Sequence, residues 1–200
     1  TGIEHPAIIN TMRYLEEQGF RVTFLPVDRY GRVQLEALKE ALCDETILVS
    51  VMYVNNEVGS VQPVAEAASI VKAYNKNILF HVDAVQGFGK YRIHPKKLGV
   101  DLCSISGHKI HGPKGTGVLY IDSKVKIKPI LFGGEQQKNI RSGTENVPGI
   151  AGLSLAAKTI YEDLDEKVQK MRKLKEHFIE GIARIENCLL YTSDAADDMQ

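Results

Sequence analysis

The 200-residue sequence predicts an α/β fold with a mainly parallel sheet, and three observations carry that prediction. Segments with apolar residues at helical spacing alternate along the chain with short apolar runs of strand length. Turn signals rich in Gly, Pro, Asn and Asp separate them. Strand, helix, strand, helix in that order is the pattern of parallel strands joined by helical crossovers.

In chain order, residues 6–17 place Ile8, Ile9, Met12 and Leu15 on one helical face, with Pro6 at the start and Gly19 just past the end. Residues 21–27 alternate as a strand, and Asp28-Arg29-Tyr30-Gly31 supplies turn chemistry. Residues 35–42 form a short helix. The mostly apolar run 47–53 reads as a strand buried on both faces. Residues 64–74 are again helical, and 78–82 again a strand. Two further strands are expected at 102–106 and 118–121, then one or two long helices over 148–184 with a solvated Glu/Lys face. The one long loop, 128–146, contains Gly133-Gly134 and Arg141-Ser142-Gly143-Thr144; ordered loops of that length are commonly functional.

Hydrophobic content of 44% and charged content of 25% are ordinary for a globular chain with a full core. A formal net charge of +0 argues against nucleic acid or an anionic membrane as the main partner. No apolar run has the length of a membrane span, and no signal peptide opens the sequence. Cys43, Cys103 and Cys188 form no disulfide or metal pattern, which fits a reducing, cytoplasmic compartment. Both ends read as unnatural: Thr1-Gly2-Ile3-Glu4-His5 resembles the middle of a fold. Residues 188–200 read as a non-native or disordered tail, leaving 1–187 as a partial domain.

Ligands in parallel sheets bind at the carboxyl ends of strands. Three polar clusters are expected there: Asn55-Asn56 after one strand, Asp83 after the next, and Ser106-Gly107-His108-Lys109 after a third. The last run leads into Gly112-Pro113-Lys114-Gly115-Thr116-Gly117. Pro113 precedes Lys114, so the order of a phosphate-binding P-loop is absent, and the glycines are expected to let backbone approach closely. A lysine able to form a Schiff base and an aspartate able to pair with a pyridinium nitrogen are the minimum set for pyridoxal phosphate chemistry. Each residue also has a plainer reading. Residues 106–109 suit a surface turn, Asp83 a buried ion pair, His5 a helix start, and Asn56, Gln86 and Thr144 ordinary loop polars. His108 and His111 lack a cysteine or carboxylate to complete a metal site, so no metal is expected.

Taken together, these blocks resemble the cysteine desulfurases of the class V aminotransferase superfamily. The matching segments are Glu4-His5, Val54-Asn55-Asn56-Glu57-Val58-Gly59, His81-Val82-Asp83-Ala84-Val85-Gln86, Ser104-Ile105-Ser106-Gly107-His108-Lys109, Gly112-Pro113-Lys114-Gly115 and Arg141-Ser142-Gly143-Thr144-Glu145-Asn146. They resemble the housekeeping and nitrogen-fixation branch more than the selenocysteine-lyase branch. The resemblance implies the large domain of a fold type I transferase, a three-layer α/β/α sandwich, with pyridoxal 5'-phosphate as cofactor. Lys109 would hold the cofactor covalently and move the substrate α-proton, Asp83 would pair with the ring nitrogen, and His5 would stack on the ring and shuttle protons. Asn56 and Gln86 would bond the ring hydroxyl or imine region. Ser106 and His108 would bind the phosphate, and Thr144 would reach the phosphate of the neighbouring subunit of a homodimer.

The implied reaction takes L-cysteine to L-alanine, leaving a persulfide on an enzyme cysteine for an iron–sulfur scaffold or other sulfur acceptor. None of the three cysteines matches that nucleophile, and the substrate-binding arginine has no counterpart, so the 200 residues alone are expected to be inactive. Another class V aminotransferase or lyase, or a catalytically dead module that dimerises or binds a scaffold, are the alternatives. Retention of Lys109, Asp83, His5 and Gln86 together speaks against the last.

Overall fold

The computed structural model describes residues 1–188. Five α-helices and four strands follow in the order α1 (Pro6–Glu17), α2 (Leu35–Ala41), β1 (Leu48–Met52), α3 (Val64–Tyr74), β2 (Leu79–Asp83), β3 (Leu102–Ser106), β4 (Gly117–Ile121), α4 (Val147–Glu162) and α5 (Leu164–Ile182). A 3-10 turn, Gly107–Ile110, sits between β3 and β4. The remainder of the expected tail, 189–200, lies outside the described residues.

The sheet order is β1-β2-β3-β4. β1, β2 and β3 run parallel, and β4 returns antiparallel to β3 with Ser106 opposite Gly117. The expected α/β class with a mainly parallel sheet therefore holds. One face is apolar: Val49, Val51, Phe80, Val82 and Cys103 join Val64, Ala67, Ala68 and Val71 of α3 in one buried cluster. Removing the side chain of a fully buried residue such as Phe80 would cost roughly 3–5 kcal/mol. The same strands turn Ser50, His81, Asp83 and Ser104 to the opposite face, because successive side chains alternate.

Several expectations need correction. Residues 21–27 do not form a strand. Leu25 O accepts from Gly2 N at 2.9 Å, Pro26 O accepts from Gln34 N at 3.1 Å, and Val27 makes only an isolated bridge to Val33. Pro26 has no N–H to offer a ladder, so alternation there yields an extended but unpaired segment. The run 47–53 is not buried on both faces: Ile47 is 65% exposed and Ser50 half-buried, because β1 is an edge strand of the described sheet. The short helix expected at 35–42 ends one residue earlier, at Ala41. The stretch expected as one or two helices is two, broken at Asp163 (φ −126°, ψ 43°).

Candidate functional site

Three parallel strands deliver their carboxyl ends to one edge of the sheet, and the candidate residues follow from that. Asp83 is the last residue of β2 and pairs in register with Met52, the last of β1, and with Ser104 of β3. Its Oδ1 accepts from Val85 N at 3.0 Å, and its carbonyl accepts from Tyr53 N at 2.8 Å. Gln86 lies half-buried in the turn that follows.

Beyond β1 the chain reverses on Asn55. Its Oδ1 accepts from Glu57 N and Val58 N, both at 2.9 Å, and its Nδ2 donates to Ile3 O at 2.8 Å. Asn56, half-buried in this turn, donates through Nδ2 to Glu57 Oε1 at 2.6 Å. The Asn55–Ile3 bond ties the amino-terminal segment to the same edge. Glu4 reinforces it: Oε1 accepts from Met52 N at 2.9 Å and from Thr1 Oγ1 at 2.6 Å. His5 is thereby held next to the end of β1. It caps α1, with Nδ1 accepting from Ala7 N at 3.1 Å, so the helix-start reading of His5 is correct as local structure.

After β3 the 3-10 turn carries His108 and Lys109 on its exposed side and buries Gly107 and Ile110. Ser106 Oγ and His108 Nδ1 lie 2.7 Å apart. Gly107 is required: a Cβ there would stand 2.6 Å from Thr116 Oγ1 and 3.0 Å from Leu153 Cδ1 of α4. Lys109 makes no hydrogen bond or ion pair among the described residues. The turn 87–91 packs against α4. Tyr161 OH accepts from Gly89 N at 3.1 Å and donates to Tyr91 O at 2.9 Å, and the Phe88 and Tyr161 rings meet edge to face at 5.1 Å. Thr144, exposed in the long loop, is not brought to the sheet edge by any hydrogen bond among the described residues.

Three features were not anticipated from the sequence. Lys90, in the turn after Gln86, has its amine pushed below the ordinary lysine value by burial and then by the charge of Lys109, which places the two lysines in one field. His81 bridges two strands, with Nδ1 2.8 Å from Ser50 Oγ and Nε2 2.9 Å from Ser104 Oγ. Burial pushes its imidazole below the usual value, against the opposing pull of the Asp83 and Glu4 carboxylates. Glu4 is 5% exposed and its Oε2 has no partner. The polar pair His81 and Asp83 at i and i+2 in an apolar strand was the available signal for the second feature.

A mainly parallel sheet with an aspartate and the Ser106–Lys109 run on its carboxyl edge is the α/β architecture of the fold type I class. The chain belongs to the class V aminotransferase family, whose description "Aminotransferase class-V" matches residues 1–200. It is 48% identical over 185 residues to the cysteine desulfurase IscS of Methanosarcina thermophila, covering 92% of this chain and 45% of that protein. It is 52% identical over 182 residues to the putative cysteine desulfurase IscS 1 of Bacillus subtilis, covering 91% and 48%. Among solved structures it matches a NifS-like protein with a TM-score of 0.90 at 48% identity, covering 92% of this chain and 50% of that one. DndA from Streptomyces lividans matches with a TM-score of 0.83 at 38% identity, covering 93% and 53%. The chain thus spans about half the length of these relatives.

Proposed function

We propose that this chain is the cofactor-binding part of a cysteine desulfurase, which uses pyridoxal 5'-phosphate to take sulfur from L-cysteine and release L-alanine. The observation that carries the reading is Lys109, whose amine has no hydrogen bond or ion pair among the described residues. It stands on a packed turn at the sheet edge where Asp83 ends the neighbouring strand. The names of the relatives support the same reading.

The residues fit this cofactor. One oxygen of Asp83 is engaged by Val85 N, which leaves the other for a cationic ring N–H. Ser106 and His108 form a hydroxyl–imidazole pair suited to a phosphate. When bound, the cofactor supplies an electron sink for bond cleavage at the substrate α-carbon. In this reading Lys109 holds it covalently and afterwards carries the α-proton. Asp83 keeps the ring nitrogen protonated, and His5, fastened through Glu4 and its neighbour Ile3, covers the ring face and passes protons. Asn56 and Gln86 orient the ring hydroxyl side. Thr144 serves the phosphate site of a second copy in a homodimer.

In this reading neither Cys103 nor Cys43 is the sulfur-accepting thiolate. Cys103 is fully buried and its thiol is pushed up to about 12, mainly by burial. Cys43 precedes the amino end of β1, on the opposite edge of the sheet from Asp83. The persulfide so formed would pass to an iron–sulfur scaffold or another sulfur-acceptor protein in the cytoplasm.

The test is an absorbance titration of the full-length protein with pyridoxal phosphate beside Lys109→Ala. The expected result is a visible band that resists dialysis in the wild type and is lost in the variant, together with alanine production from L-cysteine. Equal bands in both proteins would remove Lys109 from its role, and no band in a folded wild type would remove the cofactor.

A further inference from the structure

The polar face of the sheet carries a group that the proposed function does not use. His81 lies on β2 two residues before Asp83, and both side chains leave the strand on the same face. Its two ring nitrogens engage Ser50 on β1 and Ser104 on β3. Proton counting fixes what this arrangement can be. A neutral imidazole donates one hydrogen bond and accepts one, so one serine hydroxyl gives its proton to the ring while the other receives the ring's proton.

Ser104 is the residue directly opposite Asp83 in the β2–β3 register. Adjacent strands lie about 4.8 Å apart, so on the shared face a serine hydroxyl and an aspartate carboxylate at paired positions are within reach of each other. A hydroxyl donating to a carboxylate is a strong, charge-assisted bond. Ser104 instead bonds His81 at 2.9 Å, and the Asp83 carboxylate turns to Val85 N. The backbone around this pair is clamped, with Ala84 N donating to Ser104 O at 2.9 Å and Tyr53 N donating to Asp83 O at 2.8 Å. Side-chain choice, rather than strand position, therefore decides what the carboxylate binds.

We propose that His81, protonated on Nδ1 toward Ser50 and accepting the Ser104 hydroxyl proton at Nε2, is a positioning residue for Asp83: by taking that proton it keeps the hydroxyl off the carboxylate and leaves Asp83 open to a cationic N–H ligand. Where that ligand is the ring nitrogen of pyridoxal phosphate, the inference rests on the function proposed above. The apo protein tests the positioning by itself.

The experiment uses the full-length protein, with His81→Phe to fill the space without hydrogen bonding and His81→Ala as a second, less bulky variant. Each is made alone and combined with Ser104→Ala. Amide hydrogen exchange at Val85 is followed without cofactor, because that amide is bonded to the Asp83 carboxylate. Cofactor affinity and the pH midpoint of its visible band are followed by titration. In the His81 variants the freed Ser104 hydroxyl captures Asp83. The carboxylate, drawn across to Ser104, gives up the Val85 amide, which then exchanges about tenfold faster, and with its open oxygen occupied pyridoxal phosphate binds about tenfold more weakly and the midpoint moves. Adding Ser104→Ala restores all three to within about twofold of wild type, which no loss of general packing would do. Wild-type behaviour in both single variants, or a defect that Ser104→Ala fails to rescue, would overturn the assignment. If the wild type takes up no pyridoxal phosphate, the cofactor reading fails, and the exchange pattern alone upholds or overturns the role of His81.

Discussion

Glu4 fastens the segment that carries His5 to the end of β1, and removing it gives a test with a calculable size. In Glu4→Ala the Met52 amide, on a residue only 2% exposed, loses its acceptor at 2.9 Å, and the Thr1 hydroxyl loses a partner at 2.6 Å. A buried donor left unmatched costs roughly 1–3 kcal/mol, and loss of the hydroxyl bond adds about 1 kcal/mol. The variant also removes Oε2, a buried carboxylate oxygen with no partner, which offsets part of that cost. The net loss is about 2 kcal/mol, or roughly thirtyfold in the folding equilibrium. Glu4→Gln keeps an acceptor for Met52 N and exchanges the unmatched oxygen for an equally unmatched amide, so it should stay within about 1 kcal/mol of wild type. Urea unfolding of the full-length protein measures the difference, and hydrogen exchange at Met52 localises it. Equal stability of the two variants, with Met52 still protected in Glu4→Ala, would refute the reasoning. A refuted anchor would also leave the segment before His5 held by the Asn55–Ile3 and Gly2–Leu25 bonds.

Two further outcomes follow from the cysteines and from His81. Cys43 should react with a disulfide reagent near pH 8 much faster than Cys103. The Cys43 thiol is held below its ordinary value chiefly by the Thr46 hydroxyl, while Cys103 is buried and raised to about 12. Thr46→Val should slow Cys43, and comparable rates for the two cysteines in the folded protein would contradict the burial of Cys103. The histidine gives a pH dependence. Its folded-state value lies below the unfolded value of about 6.5, so the unfolded chain binds the extra proton first. The contribution is full above about pH 6.5 and is lost as pH falls through and below that value. His81→Phe should flatten this part of the stability–pH curve, and an unchanged slope would show that His81 is not the group responsible.

Local signals carried most of the helices. α1 has the bounds expected from its apolar spacing because Pro6 starts it and Gly19 follows it, and both are short-range effects. The strand expected at 21–27 failed because alternation reports an extended backbone, whereas a strand also needs a distant partner and an N–H that Pro26 lacks. The direction of β4 was equally invisible, since an apolar run reads the same parallel or antiparallel. At the site, Asp83 and the 106–109 run were legible because the carboxyl ends of parallel strands share an edge whatever the register. The Ser50–His81–Ser104 contacts depend on the register of three strands at once, which no single segment encodes. The 3-10 turn under Lys109 was hidden for a related reason. Its need for glycine at 107 comes from Thr116 and Leu153, which approach it from β4's side and from α4.

The single phenol of Tyr161 acts as a strut. Through one oxygen it grips a donor and an acceptor two residues apart in the turn after Gln86, and its ring braces Phe88. A tilt of α4 therefore cannot be absorbed at the helix surface: it either breaks both bonds together or drags the turn with it. α5 follows α4 after one intervening residue, the non-helical Asp163. The turn beyond Asp83 and Gln86 is fixed to α4 and does not move independently of it.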